Sequence, residues 1–280
     1  MSPGPISTDP CVPARRDASA RVLRRAVTAW VELRLRVRRA PFAASLMLLL
    51  VALPLCLACA LLLDVPVARA ALQAPPTLRQ IAQLFSDLGL SGYMLVLSGL
   101  TWAAAVAIVR QGRFPERHVL LNLVAERAFF VFTAIAASGL GVQIIKHIVG
   151  RARPGLIDKF GAFHFDLFSI KASLASFPSG HSTSIFALAA ALGLIVPRLR
   201  LPIFGLAVLV GLARVVLAAH YASDILAGAA FGVMMTLATA SVFAGRSIAF
   251  TRSRGVLRLK GRGMIWSALR AQGCCARVNA

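Results

Sequence analysis

Acidic residues are scarce. Only 10 Asp and Glu stand among 280 residues, against 31 Lys and Arg. No carboxylates cluster along the chain, so a magnesium or two-metal site, which needs several carboxylate oxygens, has no ligand set. Charge as a whole is also sparse, at 15% of residues, while hydrophobic residues make up 58% and mean hydropathy is +0.77. A soluble domain carries about 25% charged and 45–50% apolar residues. There is too little polar material here to coat a water-facing surface. Disorder is excluded, because it requires low hydrophobicity. Cysteine is limited to Cys11, Cys56, Cys59, Cys274 and Cys275. None falls in a segment assigned to the extracytoplasmic side, which argues against a disulfide framework. No His lies near them in sequence, which removes zinc. Cys56 and Cys59 sit in an apolar run, where Cys acts as a small hydrophobe. The composition is that of an integral membrane protein.

The net charge of +21 resembles a nucleic-acid signal until the positions are read. Nine of the basic residues lie in residues 1–39 and eight in residues 246–280. The first tail holds one aromatic (Trp30) and the second two (Phe250, Trp266), with no zinc-finger spacing in either, so no stacking platform for bases is built. Basic tails beside apolar spans set topology and meet anionic lipid headgroups. The expected partners are the bilayer and a membrane lipid, not nucleic acid.

About 20 apolar residues cross a bilayer as a helix. Six runs qualify: Ala43–Leu63, Gly92–Val109, Ala128–Ile145, Ser182–Val196, Leu201–Ala219 and Asp224–Ala244. The fourth is short. The first follows a basic lead and precedes Ala68-Arg69-Ala70, which resembles a signal-peptide cleavage site. Its apolar core is longer than the roughly 7–15 residues of a signal peptide, so an uncleaved helix is expected. The chain therefore divides into a basic cytoplasmic tail (1–39), a six-span all-α bundle (40–245) and a second basic cytoplasmic tail (246–280). With the N-terminus inside, 23 Arg and Lys lie on the inner side and seven on the outer. This bias places both termini in the cytoplasm. Arg outnumbers Lys 27 to 4, and with the short loops this composition suits a bacterial inner-membrane protein whose outer face meets the periplasm.

Chemistry gathers on that outer face. Lys146-His147-Ile148-Val149-Gly150-Arg151-Ala152-Arg153-Pro154 puts three cations where positive charge is normally sparse. If the helix persists, the seven-residue step places Lys146 and Arg153 on one face, and Pro154 turns the chain. Arg151 and His147 read as neighbours of the site, outside its inner ring. Next, Pro178-Ser179-Gly180-His181 leads into an apolar helix. Its free N–H groups and positive dipole end make an anion site. Third, Arg214 lies inside an apolar run, about 9 Å along a helix axis from His220. Ionisable groups inside spans are costly and usually serve a site. His220 and Asp224 are four apart, hence neighbours on a helical turn. A carboxylate accepting from one ring nitrogen leaves the other as nucleophile or base. Between the first two clusters, Phe160, Phe163, Phe165 and Phe168 surround His164. This segment is expected in the headgroup zone or as a lid over the outer helix ends.

Taken in order, Lys-x6-Arg-Pro, Pro-Ser-Gly-His and Arg-x5-His-x3-Asp resemble the motifs of the type 2 phosphatidic acid phosphatase superfamily, whose phosphate pocket is shared with vanadium haloperoxidases. The resemblance covers roughly residues 90–245. It implies that His220 attacks phosphorus to form a phosphohistidine and that Asp224 orients it. His181 would protonate the leaving oxygen and then activate water. Lys146, Arg153 and Arg214, with Ser179 and the Gly180 N–H, would hold the phosphoryl oxygens. No metal or other cofactor is implied, since three fixed cations supply the charge stabilisation that phosphoryl transfer needs. Ala213 stands where the family pattern often has Ser, so one hydroxyl donor is missing. The expected activity is hydrolysis of a phosphate or diphosphate on undecaprenyl diphosphate, phosphatidic acid, phosphatidylglycerophosphate or lipid A. The alternatives are a lipid phosphotransferase with the same pocket and a non-catalytic anion carrier.

Overall fold

The structure is a computed structural model that describes residues 41–253 and 256–261. Residues 1–40 and 262–280, with Cys11, Trp30, Trp266, Cys274 and Cys275, lie outside the described residues, as do the parts of the two basic tails that they carry.

The described chain is mostly helical, with an irregular stretch over 161–179 and a strand pair at its end. In order it forms α1 (Pro41–Leu62), α2 (Asp64–Leu72), α3 (Pro76–Asp87), α4 (Ser91–Arg110), α5 (His118–Val149), α6 (Ile157–Phe160), α7 (Gly180–Ile195), α8 (Arg200–Val216) and α9 (Ala222–Gly245). Strands β1 (Phe250–Ser253) and β2 (Val256–Leu259) then pair as an antiparallel hairpin. Five stretches are long and apolar enough to cross a membrane: Ser45–Leu62, Pro76–Arg110, Pro115–Val149, Pro197–Val216 and Ala222–Gly245. The expected sixth span is α7, a shorter apolar helix of 16 residues. At 1.5 Å per residue it reaches about 24 Å, less than the hydrocarbon thickness of roughly 30 Å.

Protein, more than lipid, surrounds α7. Its Ala187, Ala189 and Ala191 are fully buried, and it packs against α5, α8 and α9. The contact with α9 is close because Gly228 and Gly232 form a small-residue stripe. A Cβ on Gly232 would overlap the Thr183 carbonyl oxygen, and one on Gly228 would overlap that of Ser179. Outward faces are the reverse of a soluble protein. Leu50, Leu53, Leu57 and Leu61 of α1, and Leu140 and Ile144 of α5, are well exposed. In a bilayer such faces meet acyl chains and carry no cost.

Two features depart from the sequence reading. The 64–90 connection, which showed no span, folds into α2 and α3. Pro76 starts α3 at a position where its missing N–H is harmless, and α3 packs along α8. The segment after residue 245, expected as a tail, includes the hairpin. Phe250 and Leu257 are buried in the main core with Phe130 and Phe243. Glu126 accepts from the Ala249 N–H and pairs with Lys260, at 3.0 and 2.6 Å. The packed unit therefore runs on to about residue 260, with no strand register obvious in a run so rich in Arg.

Candidate active site

The first motif is not continuous helix. The shared face of Lys146 and Arg153 depended on the helix persisting to Arg153, but α5 ends at Val149 and Gly150 adopts a left-handed conformation (φ 61°, ψ 38°). Its N–H caps the Lys146 carbonyl at 2.9 Å. Glycine is required there, because a Cβ would overlap the Asp166 carbonyl. Lys146 therefore points from the last helical turn. Residues 151–153 run extended, held by Ala152 N–H to His164 O (3.1 Å) and Arg153 N–H to Ser173 O (3.0 Å). Lys146 and Arg153 reach the site from helix and loop rather than from one helix face.

The second and third motifs are tied together by backbone. Ser179 donates its N–H to the Asp224 carbonyl at 3.0 Å. Its hydroxyl oxygen caps α7, accepting from the Ser182 N–H (3.4 Å) and the Ser182 hydroxyl (3.2 Å). That leaves the Ser179 hydroxyl proton to give to a ligand. On the other side, α8 stops at Val216 and Ala218 takes a left-handed conformation (φ 50°). This turn, shorter than the span expected to Ala219, swings His220 back over the start of α9.

Three cations, two imidazoles and the α7 N-terminus lie close together, and Lys146, Gly180 and His181 among them line a cavity. Lys146 Nζ lies 3.5 Å from where a Gly180 Cβ would sit. Lys146, Arg153 and Arg214 are close enough to feel one another's charge, and His181 feels Lys146, Arg214 and His220. Burial pushes the Arg153 guanidinium below its ordinary pKa, with Asp224 opposing. The Nε atoms of Arg153 and Arg214 are buried without a hydrogen-bond partner among the described residues. Buried donors left open around a pocket call for an acceptor, and an anion with several oxygens supplies it.

His220 is fixed differently from the sequence reading, in which Asp224 accepts from the ring directly. Asp224 Oδ2 stands 3.7 Å from Nδ1, beyond hydrogen-bond length. The carbonyl of Ser176 lies 2.8 Å from Nδ1 and accepts instead. A carbonyl can only accept, so the proton sits on Nδ1 and the Nε2 lone pair is free. Ser176 relays the carboxylate: its hydroxyl donates to Asp224 Oδ2 at 2.6 Å. The Tyr221 N–H donates to the same oxygen at 2.9 Å. Burial of His220 lowers its pKa to about 4, despite the neighbouring Asp224 carboxylate. The ring is therefore neutral at pH 7.

Four residues outside the predicted site belong to this constellation. Ser176 is the relay just described. Arg151 donates from Nη1 to Asp224 Oδ1 at 2.6 Å and from Nη2 to Asp64 Oδ2 at 2.8 Å. Ser86, buried at the end of α3, accepts from Arg214 Nη1 at 2.8 Å. It brings a hydroxyl to Arg214 from another element, where Ala213 has none. Ser86→Ala is expected to raise KM roughly 3–10-fold with little change in kcat, because a lost bond to a charged group loosens a binding side chain. Steady-state kinetics check this. His147 turns away, with Nδ1 3.0 Å from the Ser169 carbonyl. His164 stacks on Phe160 at 4.5 Å. Phe163 and Phe165 flank the Arg151 guanidinium while remaining about half exposed.

From Lys146, Gly180 and His181 a cavity of about 530 Å³ runs down between α4, α5 and α7. Its walls are mostly apolar, including Leu90, Leu95, Ile135, Leu140 and Val142. The site is thus polar at one end and greasy along its length. Among the described residues no three His, Cys, Asp or Glu side chains gather as a metal-ligating group.

Comparison with known proteins agrees with the three motifs. The family model of the PAP2 superfamily matches residues 127–248, which contain all three. Proteins named lipid A 1-phosphatase from Rhizobium etli and Rhizobium johnstonii are each 34% identical over 193 residues, 68% of this chain and 81% and 77% of theirs. A transmembrane PAP2-type phosphatidylglycerolphosphate phosphatase from Bacillus subtilis shares the fold, with a TM-score of 0.50 at 23% identity over 72% of this chain and 96% of that one. With these relatives, and with every motif in place within a membrane-spanning helical bundle, the chain belongs to the PAP2 superfamily, as one of its membrane-embedded phosphatases.

Proposed function

We propose that the protein removes a phosphate from lipid A at the periplasmic face of a bacterial inner membrane, through a phosphohistidine on His220. The observation that carries the reading is the cavity that runs from Lys146 and His181 into an apolar groove between α4, α5 and α7. A lipid phosphate fits both ends: headgroup among Lys146, Arg153 and Arg214, acyl chains along the groove. A soluble phosphate ester would leave the groove empty. The similarity to lipid A 1-phosphatases supports this lipid among those that share the chemistry. The excess of basic residues on the opposite side supports a cytoplasmic location for both tails.

The geometry supports the following reaction. The Nε2 lone pair of His220 attacks phosphorus while the cations and the Gly180 N–H spread the charge on the equatorial oxygens. The bond from phosphorus to the lipid oxygen breaks, and that oxygen takes a proton from His181. His181 then accepts a proton from water as the water oxygen attacks phosphorus. The P–N bond breaks, and inorganic phosphate leaves.

The test is phosphate release by the purified protein. The panel comprises lipid A, undecaprenyl diphosphate, phosphatidic acid, phosphatidylglycerophosphate and a soluble sugar phosphate. The expected result is fastest release from lipid A, undiminished by EDTA. Preference for the sugar phosphate would overturn the lipid assignment. Loss of activity in EDTA with recovery in Mg²⁺ would overturn the metal-free mechanism.

A further inference from the structure

The start of α2 contributes a carboxylate that the three motifs do not include. Asp64 opens α2, just past the end of α1, and lies outside the 127–248 segment matched by the family model. It is fully buried. Its Oδ1 accepts from the Ser223 N–H at 2.9 Å. Its Oδ2 accepts from the Ser223 hydroxyl and from Arg151 Nη2.

Between Asp64 and Asp224 the Arg151 guanidinium is saturated. Nη1 donates to Asp224 Oδ1 and to Ser223 Oγ at 2.8 Å. Nη2 donates to Asp64 and to the Ala162 carbonyl, which also receives Nε. The Tyr221 ring lies 4.2 Å from its Cζ. Burial alone would favour loss of the Arg151 charge, but Asp224 and Asp64 outweigh it and raise the pKa. Two carboxylates thus share one guanidinium, so the Asp64–Arg151–Asp224 group carries a net negative charge behind the ring. Asp224 anchors the Ser176 hydroxyl, the Ser176 carbonyl accepts from His220, and the carboxylate acts on the ring through space from 3.7 Å.

This matters when His220 reacts. The neutral ring keeps its Nδ1 proton while Nε2 forms the bond to phosphorus, so the ring becomes cationic. Lys146, Arg153 and Arg214 oppose that charge. With Arg151 and Asp224 alone, the group behind the ring would be neutral.

Building on the phosphohistidine reading above, we propose that Asp64 is a positioning residue for His220: it clamps Arg151, which aims Asp224, and it supplies the negative charge that stabilises the imidazolium of the phosphorylated ring. Asp64 touches neither substrate nor phosphate. Its loss is therefore felt in turnover and not in binding.

The experiment compares full-length wild type, His220→Ala and Asp64→Asn, purified in detergent, on lipid A and in parallel on a soluble aryl phosphate. Inorganic phosphate serves as competitive inhibitor. Asp64→Asn is expected to lower kcat about 10–100-fold while KM and the phosphate inhibition constant stay within about threefold of wild type. Wild-type kcat, or a kcat loss matched by equal weakening of KM and phosphate binding, would overturn the inference; the latter marks a merely loosened pocket. If Asp64→Asn does not yield folded protein, Ser223→Ala keeps every charge and removes the hydroxyl bridge. It is then expected to lower kcat about 3–10-fold at unchanged KM, and unchanged kcat overturns the proposal. Equal rates for wild type and His220→Ala would instead sink the phosphohistidine reading. Inactivity on lipid A alone sinks only the lipid assignment, since the aryl phosphate still reports on Asp64.

Discussion

His220→Ala is expected to lower turnover by about three orders of magnitude or more, with the protein still folded. Among the described residues the ring is held by Nδ1–H to the Ser176 carbonyl, which leaves the Nε2 lone pair free. Alanine removes the nucleophile while leaving the cations that bind phosphate. Affinity for inorganic phosphate should therefore survive. Near-wild-type turnover in a folded variant would refute the role given to His220. The same geometry sets the pH dependence. His220 must be neutral to attack, and burial lowers its pKa to about 4. The acid limb of kcat/KM should therefore lie below the ordinary histidine range, with attack competent above the limb and lost as pH falls through it. A limb at pH 6.5 would mean a ring far more solvated than the structure places it.

His181→Ala should produce a different defect, which separates the two imidazoles. A general acid and base contributes about 10²–10⁴ in rate. It contributes most where the leaving oxygen is a poor leaving group, as in an alkyl or glycosyl phosphate. An aryl phosphate leaves without help, so the first step survives in His181→Ala while water activation does not. The variant should be slow on a lipid phosphate. On an aryl phosphate it should show a burst of about one product per enzyme followed by slow turnover, with phosphate trapped on His220. The absence of both a rate loss and a burst would remove His181 from the mechanism. The structure gives it the right company, within electrostatic reach of His220 and Arg214. Gly89 packs against its ring, where a Cβ would lie 3.1 Å from the His181 Cβ.

The parts of the site legible in sequence are those whose signal is local. Lys146, Arg153, His181, Arg214, His220 and Asp224 stand in short motifs with charge where apolar residues or an uncharged face are the rule. The Gly150 stop was also legible, since Gly followed by a loop and Pro154 is a helix-ending pattern. The shared face of Lys146 and Arg153 required the helix to persist past Gly150, and it does not. Ser86, Ser176 and Asp64 had no such signal. Each is a common polar residue in a connection, and each acts through a partner far away or through a carbonyl. Asp64 meets Arg151 across 87 positions, and Ser86 meets Arg214 across 128.

Hydropathy and charge order along the chain were enough to determine a membrane bundle, its approximate spans and the family of its chemistry, because bilayer insertion responds to runs of residues one after another. The close packing that buries a short α7, the route from Asp224 to His220 through Ser176, and the recruitment of Asp64 and Ser86 depended on tertiary structure. The low dielectric of the buried interior forces every charge there to find a partner, and which partner lies within 3 Å is decided by helix packing, not by distance along the chain.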